Sequence, residues 1–285
     1  MKPSTQNQTI ELLKKHKMHI KKKYGQNYLI DDNIIRKIVA LSNIEPNPFI
    51  VEVGPGLGSI TKGLLNHADG LLAYEIDEDL IEPLKDLFKD DKRFHLIHDD
   101  VLNRDLNRDI SDYNDRDAPV WVVANLPYYI TTPILFKFLE ESDKISGLIL
   151  MTQYEVAKRL TAKKSTKDYN ALSVIMHYRT QASFMFKVPK TVFIPKPNVD
   201  SAVIKLTIKP KEKGLDETFF FDFVKEAFRQ KRKTLVNNLN RAYYIEKPLL
   251  SSWLHAHSLN ADIRAENIDL EKFKALSQSF REDFF

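Results

Sequence analysis

The feature that most constrains the fold is an alternation, from about residue 34, of short apolar runs rich in β-branched residues with stretches of helical periodicity. The apolar runs cover residues 49–53, 70–74, 94–97, 120–124 and 147–151. Amphipathic stretches lie between them, at residues 60–66, 80–88 and 133–139. Strands that alternate with helices in this way predict a parallel sheet whose crossover helices cover both faces.

The pattern changes in the C-terminal part of the chain. Residues 183–188 and 202–208 resemble strands but have no comparable helix between them, so we expect them to pair antiparallel at one edge of the sheet. Residues 209–217 are polar and contain Pro and Gly, as a linker does, and only helical spacing follows. We therefore predict an α/β fold: a Rossmann-like, seven-stranded, mostly parallel sheet within residues 1–208, and a small all-α domain at 209–285.

Composition excludes several classes of protein. The chain has 285 residues, 43% of them hydrophobic, and no cysteine, which rules out a disulfide framework, thiolate metal sites and a cysteine nucleophile. No stretch approaches the roughly 20 apolar residues of a membrane span, and the N-terminus has no apolar core of the kind a signal peptide needs. We expect a cytoplasmic protein that uses neither a membrane nor a metal.

Positive charge is concentrated in three basic clusters, although the net charge is only +4. The first basic cluster comprises Lys14, Lys15, Lys17, Lys21, Lys22 and Lys23. The second comprises Lys158, Arg159, Lys163, Lys164 and Lys167, and the third Arg229, Lys231, Arg232 and Lys233. The three clusters can converge on one polyanion, while each taken alone can equally be a solvated face.

A glycine-rich turn follows the first predicted strand, with Gly54, Gly56 and Gly58 ahead of a helix. Glycines at this point let the backbone approach a ligand closely. A dinucleotide fingerprint requires a further glycine where this chain has Ser59, which disfavours a cofactor with a pyrophosphate. Glu75 ends the next strand, where a carboxylate can accept two hydrogen bonds from a ribose diol. The alternative for the glycines is a purely structural turn.

The third strand leads into Asp99 and Asp100. A carboxylate at this edge of the sheet, which we assign to Asp100, can accept a hydrogen bond from the amino group of an adenine ring. Either aspartate can instead cap a helix, a common role for Asp after a strand.

The fourth strand delivers the tetrapeptide Asn125, Leu126, Pro127, Tyr128. An adenine amino group is a poor nucleophile, because its lone pair is delocalised into the ring. The Asn125 side-chain oxygen and a backbone carbonyl near Leu126 can accept its two hydrogens and favour the charge-bearing transition state of methyl transfer from a sulfonium. Pro127 would fix the backbone and Tyr128 would offer a stacking face. The alternative is an ordinary turn with a core tyrosine.

Four motifs in order carry a resemblance to the ribosomal RNA adenine N,N-dimethyltransferases, most closely to their small-subunit branch. The motifs are KYGQNYLID from Lys23, EVGPGLG from Glu52, NLPY from Asn125 and FIPKPNVDS from Phe193. The resemblance implies a class I methyltransferase fold, S-adenosylmethionine as cofactor, and small-subunit ribosomal RNA in an immature 30S subunit as substrate. The sequence itself does not fix the oligomeric state, and we expect a monomer.

The resemblance also implies roles for individual residues. Residues that close over or line the cofactor would be Gln26, Asn27, Leu29, Gly54, Gly56, Glu75, Asp100 and Asn125. Asn125 and Leu126 would orient the target amino group, while Tyr128 and Phe193 would contact the target base. The segment FRQKRKTLVNNL, which begins at Phe228, resembles the RNA-facing part of the C-terminal domain.

Three other functions compete with this interpretation. A large-subunit adenine methyltransferase of the macrolide-resistance type shares the fold and most motifs, but its tetrapeptide typically carries isoleucine where this chain has Leu126. A non-catalytic ribosome-assembly factor would not need the intact tetrapeptide or Glu75. A nicotinamide dehydrogenase is disfavoured by Ser59 and by the lack of an evident acid on the hydride side.

Overall fold

The computed structural model describes residues 9–11, 21, 25–42, 47–126, 130–141 and 143–285. The chain forms two compact units, each built from two segments. The first unit comprises Met1–Ala157 and Ser183–Ile208, and the second Lys158–Ala182 and Lys209–Phe285.

A seven-stranded sheet organises the α/β part of the molecule. Its strands are β2 (Phe49–Val53), β3 (Gly70–Glu75), β4 (Phe94–His98), β5 (Val120–Asn125), β6 (Ile145–Gln153), β7 (Thr180–Val188) and β9 (Ser201–Ile208). They lie in the order β4-β3-β2-β5-β6-β9-β7. The pairs from β4 through β6 are parallel, and β9 joins β6 antiparallel. The predicted fold class is therefore confirmed.

Helices lie before, between and after the parallel strands. They are α1 (Asp32–Ser42), α2 (Thr61–Leu64), α3 (Glu78–Phe88), α4 (Leu106–Tyr113), α5 (Thr131–Glu141) and α6 (Tyr154–Leu160). Aspartates begin two of them: Asp77 caps α3 by accepting the Asp79 N–H, and Asp105 caps α4 by accepting the Arg108 N–H. Every residue of β2 and β3 is buried, because helices cover both faces of the sheet.

The strand order places a topological switch point at the centre of the sheet. β2 is followed in the sequence by β3 on one side, while its neighbour on the other side is β5. Ligands of open α/β sheets bind outside the carboxyl ends of the strands at such a point. The loops after β2, β3 and β5 are therefore where a binding site is expected.

A separate two-stranded ribbon joins two distant segments of the first unit. β1 (Tyr28–Leu29) pairs antiparallel with β8 (Phe193–Ile194), and Leu29 lies opposite Phe193. The ribbon brings two of the four sequence motifs together, although Leu29 and Phe193 are 164 positions apart in the sequence.

Helices build the second unit. They are α7 (Ala171–Arg179), α8 (Glu217–Ala227), α9 (Leu235–Tyr243), α10 (Lys247–Ala256) and α11 (Leu270–Phe284), with the last part of α6. One unit boundary, between Ile208 and Lys209, falls where the sequence predicts a domain boundary.

Residues 158–182, however, belong to the second unit rather than the first. The Tyr178 ring packs 5.0 Å from the Phe220 ring and its hydroxyl donates to Glu217. Arg179 forms an ion pair with the same Glu217 at 2.7 Å. These contacts hold α7 against α8, and they join residues about 40 positions apart that local periodicity cannot connect.

Within the described part of the chain, no helix is long and apolar enough to cross a membrane.

Candidate active site

A pocket opens at the carboxyl ends of the central strands, at the switch point of the sheet. Its walls come from the loop after β2, the ends of β3 and β5, and the turn after β4. Residues 25–29, which include β1, form a further wall. The predicted site residues Gln26, Asn27, Leu29, Gly54, Gly56, Glu75, Asp100, Asn125, Leu126 and Phe193 all line it. Folding thus brings these residues into one pocket.

The glycine turn has the conformation that the sequence predicts for close backbone approach. Gly54 and Gly56 have φ of 69° and 59°, in the region that disfavours residues with a side chain. A Cβ on Gly54 would meet no atom within 4 Å and would project into the open pocket. A Cβ on Gly56 would lie 3.4 Å from the Tyr28 ring. The turn therefore leaves space above Gly54 that a ligand can fill.

Glu75 places a buried carboxylate beside this turn. Its Oε1 accepts the Asp77 N–H at 2.9 Å and its Oε2 accepts the Gly56 N–H at 3.3 Å. Burial, with only 5% of the residue exposed, raises the pKa of Glu75 to about 7, although the backbone donors lower it. Each oxygen retains a second lone pair, so the carboxylate can accept two more hydrogen bonds.

The structure gives Asp99 and Asp100 different partners. Asp99 accepts the Asp100 N–H at 2.8 Å and pairs with Arg104 at 3.4 Å, which engages both of its oxygens. Asp100 Oδ1 accepts the Leu102 N–H at 2.9 Å and so caps the 3-10 turn Val101–Asn103. No described residue donates to Asp100 Oδ2. Asp100 thus acts as a cap with one oxygen and keeps the other available in the pocket.

Asn125 ends β5 with its side chain held in one orientation. Its Nδ2 donates to the Asn27 carbonyl oxygen at 3.2 Å. Because a carbonyl only accepts, the amino side of the amide must face Asn27, and Oδ1 is left as an acceptor without a donor among the described residues. The next residue, Leu126, is buried and its N–H donates to the Met151 carbonyl at 3.1 Å. Pro127 and Tyr128 lie outside the described residues.

Phe193 packs with residues 25–29, which form the N-terminal wall of the pocket. Phe193 is 3% exposed and belongs to the same hydrophobic core as Tyr28 and Leu29. It also lines the pocket, so Phe193 belongs both to the core and to the wall of the site.

Sequence reasoning missed a polar network behind Gln26. Gln26 Nε2 donates to Asp77 Oδ2 at 2.6 Å, and Lys21 Nζ donates to Asp77 Oδ1 at 2.6 Å. Asp77 follows Glu75 by two positions and is 2% exposed. Because Asp77 follows a strand, the sequence indicates a helix cap at this position. It contains no sign that Asp77 bonds to Gln26, which is 51 positions away.

A second missed residue is Glu52 in β2, which is 3% exposed. Burial raises the pKa of Glu52 to about 8. Its Oε2 has no hydrogen-bond partner among the described residues. Nothing in the sequence marks Glu52 as a functional acid, because it lies within the apolar run that predicts β2 and the other residues of that run are all hydrophobic.

Among the residues that the structure describes, no group of His, Asp or Glu side chains has the arrangement of a metal site. The pocket offers acceptors and backbone donors instead, which suits an organic ligand with hydroxyl and amino groups.

Solved structures share the architecture. A dimethyladenosine transferase from Plasmodium falciparum superimposes with a TM-score of 0.75 at 22% identity, covering 89% of this chain and 97% of the other. The 23S rRNA methyltransferase ErmE superimposes with a TM-score of 0.68 at 24% identity, covering 88% and 98%. At these identities the likeness shows the fold alone.

Sequence relatives are much closer. The ribosomal RNA small subunit methyltransferase A of Geobacillus sp. (strain WCH70) is 42% identical over 98% of this chain and 97% of its own length. The corresponding protein of Bacillus mycoides (strain KBAB4) is 41% identical over 97% and 96%. The sequence model of the family described as ribosomal RNA adenine dimethylase matches residues 17–282. With nearly the whole length matched, the resemblance seen in the four motifs is confirmed, and the chain belongs to the ribosomal RNA adenine dimethylase family.

Proposed function

We propose that this protein transfers methyl groups from S-adenosylmethionine to the exocyclic amino nitrogen of adenosines in small-subunit ribosomal RNA, giving dimethyladenosine. The observation that carries the chemistry is the fixed amide of Asn125, whose Oδ1 is a free acceptor among the described residues at the carboxyl end of β5. The substrate follows from near-full-length relatives that are named as small-subunit methyltransferases.

The pocket residues fit S-adenosylmethionine. Glu75 would accept the ribose hydroxyls, and Asp100 Oδ2 would accept the adenine amino group. The space above Gly54 would take the remainder of the molecule, with residues 25–29 covering it. When bound, the cofactor would supply an electrophilic methyl group on a sulfonium.

The residues after β5 would activate the acceptor nitrogen. As the nitrogen attacks, it becomes positively charged, and a hydrogen bond from it to Asn125 Oδ1 strengthens. A backbone carbonyl near Leu126 would accept a hydrogen bond from the second amino hydrogen. The proton that the cationic, methylated nitrogen loses would pass to solvent, so no strong general base is needed. Phe193 would border the target base, and Tyr128, from its position in the tetrapeptide, would stack on it.

The basic clusters support an RNA substrate. Lys231, in the third cluster, donates from Nζ to the Lys167 carbonyl at 2.7 Å, which brings the second and third clusters together in the second unit. All four residues of the third cluster are exposed, so they can contact phosphates. In the first cluster, Lys21 is engaged by Asp77 and Asp79, while the other five residues lie outside the described part of the chain. We propose that the enzyme acts as a monomer on immature 30S subunits in the cytoplasm.

Mass spectrometry of ribosomal RNA tests the proposal directly. Small-subunit RNA from cells that lack the protein should lose dimethyladenosine, and expression of the wild type, but not of an Asn125→Ala variant, should restore it. Restored modification of large-subunit RNA instead would point to the macrolide-resistance type of enzyme. Restored ribosome assembly without any modification would point to a non-catalytic factor.

A further inference from the structure

Asp77 hydrogen-bonds to three residues in or beside the pocket: Lys21, Gln26 and Glu75. Its Oδ1 accepts from Lys21 Nζ at 2.6 Å, and its Oδ2 accepts from Gln26 Nε2 at 2.6 Å. Its own backbone N–H donates to Glu75 Oε1 at 2.9 Å. One buried residue thus contacts both the N-terminal wall of the pocket and the carboxylate at the end of β3.

These contacts exceed what helix capping requires. An N-cap needs one oxygen, and Asp77 Oδ1 already accepts the Asp79 N–H at 3.2 Å. Lys21 adds a second ion pair, to Asp79 Oδ2 at 2.6 Å, and its backbone N–H donates to Gln26 Oε1 at 2.8 Å. The Gln26 amide is therefore held at both ends.

The network extends to Asn125 through Asn27, the residue that follows Gln26. The Asn27 carbonyl fixes the amide of Asn125. Gln26 and Asn27 are adjacent, so holding Gln26 also restrains the carbonyl that orients Asn125.

We propose that Asp77 and Lys21 are positioning residues that hold residues 25–29 over the cofactor, while the backbone N–H of Asp77 orients Glu75. They act through Gln26, Asn27 and Glu75 and do not touch substrate themselves. The inference rests on the proposed function, because it concerns binding of S-adenosylmethionine in this pocket. Loss of the contacts loosens residues 25–29 and weakens cofactor binding more than it slows methyl transfer, since the Asn125 backbone stays fixed in β5 and its amide keeps the Asn27 carbonyl as a partner.

Matched variants isolate the contacts from helix capping. Asp77→Ser keeps a good N-cap for α3 but cannot reach Lys21 or Gln26. Lys21→Met removes the charge and keeps the stem, while Lys21→Arg restores a donor with positive charge. Lys85→Met is the control, because Lys85 lies on α3 in an exposed ion pair with Glu82.

The experiment measures binding of S-adenosylmethionine to the full-length protein by calorimetry. The KM for S-adenosylmethionine and kcat are measured in parallel, and melting temperatures check folding. Lys21→Met and Asp77→Ser should bind the cofactor roughly five- to tenfold more weakly, with KM raised by a similar factor and kcat changed less than about threefold. Lys21→Arg should recover most of the affinity, and Lys85→Met should match the wild type.

Wild-type affinity and KM in Lys21→Met would overturn the inference while leaving the proposed function intact. If Asp77→Ser does not fold, Lys21→Met and its arginine rescue decide the matter alone. Failure of the wild type itself to bind S-adenosylmethionine would overturn the proposed function, and the positioning role with it.

Discussion

Glu75 Oε2 accepts a hydrogen bond from the backbone N–H of Gly56, 3.3 Å away, so the carboxylate at the end of β3 is joined directly to the glycine turn at the end of β2. The sequence suggests these two features separately, one as a turn and the other as a ribose acceptor. Their contact means that substituting Glu75 alters the shape of the turn as well as the charge of the pocket.

Replacing Glu75 should therefore weaken cofactor binding. Glu75→Ala removes a buried acceptor of two hydroxyl groups, and we expect a loss of about 1.5–3 kcal/mol in binding free energy. Titration calorimetry with S-adenosylmethionine measures this, with the exposed Glu82→Gln as control. Unchanged affinity would remove Glu75 from the site.

Cofactor affinity should also depend on pH near neutrality. Burial raises the pKa of Glu75 to about 7, and only the ionised carboxylate accepts from both ribose hydroxyls. Affinity should rise as pH increases through about 7 and level off above it. Glu75→Gln should abolish this rise, whereas a pH profile unaltered in that variant would assign the titration to another group.

Glu52 should make the fold less stable at alkaline pH. Burial raises its pKa from 4.5 to about 8, so the folded state keeps a proton that the unfolded chain releases. The free energy of unfolding should fall as pH rises from about 4.5 to about 8, and Glu75 adds a contribution of the same sign up to about 7. Glu52→Gln should flatten the curve and raise the free energy of unfolding at about pH 8 by up to about 5 kcal/mol, given about 1.36 kcal/mol per pKa unit. Urea unfolding across this pH range checks the slope, with Glu82→Gln as control.

RNA affinity should depend on the third basic cluster. Neutralising Arg229, Lys231, Arg232 and Lys233 together should weaken binding to small-subunit RNA and flatten its dependence on salt, because fewer counterions are released. The control neutralises four exposed lysines outside the cluster: Lys62, Lys85, Lys89 and Lys92. Equal affinity and equal salt slopes for the two variants would exclude the cluster from the RNA surface.

The sequence predicts the sheet and most of the pocket because both depend on local pattern. Apolar runs alternate with helical stretches, and parallel strands bring their carboxyl ends to one edge, which is why Gly54, Glu75 and Asn125 could be placed together. Residues 25–29 and Phe193 came only from the family resemblance, since the ribbon between β1 and β8 is a pairing of distant segments.

What the sequence does not predict are contacts that depend on tertiary packing. The Lys21 to Asp77 ion pair joins a basic run to a helix cap, and each looks ordinary alone. The placement of residues 158–182 in the second unit rests likewise on Tyr178 and Arg179 meeting α8. In both cases the signal is a pair of residues far apart in sequence, which periodicity does not contain.

Phe193 should affect both stability and base placement. Phe193→Ala removes a buried ring from the core of the first unit and should cost about 3–5 kcal/mol of unfolding free energy. Phe193→Leu keeps most of the apolar volume, so it separates the two roles. If the ring contacts the target base, Phe193→Leu should remain stable and still methylate RNA more slowly; normal turnover in this variant would make Phe193 a core residue only.

The mechanism depends most directly on Asn125. Its Oδ1 is oriented by the bond from Nδ2 to the Asn27 carbonyl, and a hydrogen bond to Oδ1 gains strength only as the amino nitrogen acquires charge. Asn125→Ala should therefore lower the single-turnover methylation rate by about 10²–10³, the effect of removing one preorganised polar group aimed at developing charge. Cofactor affinity should change much less.

Two comparisons define this prediction. Tyr128→Ala should differ in kind, because losing a stacking face worth about 1–3 kcal/mol impairs placement of the target base as well as turnover. Asn66→Ala, at an exposed asparagine outside the pocket lining, should behave as the wild type. The measurement is transfer of labelled methyl groups to immature small subunits under single-turnover conditions, with S-adenosylmethionine affinity determined in parallel. Near-wild-type transfer by Asn125→Ala would contradict the proposed role of the amide while leaving the family assignment in place, because that assignment rests on similarity along nearly the whole chain rather than on this side chain.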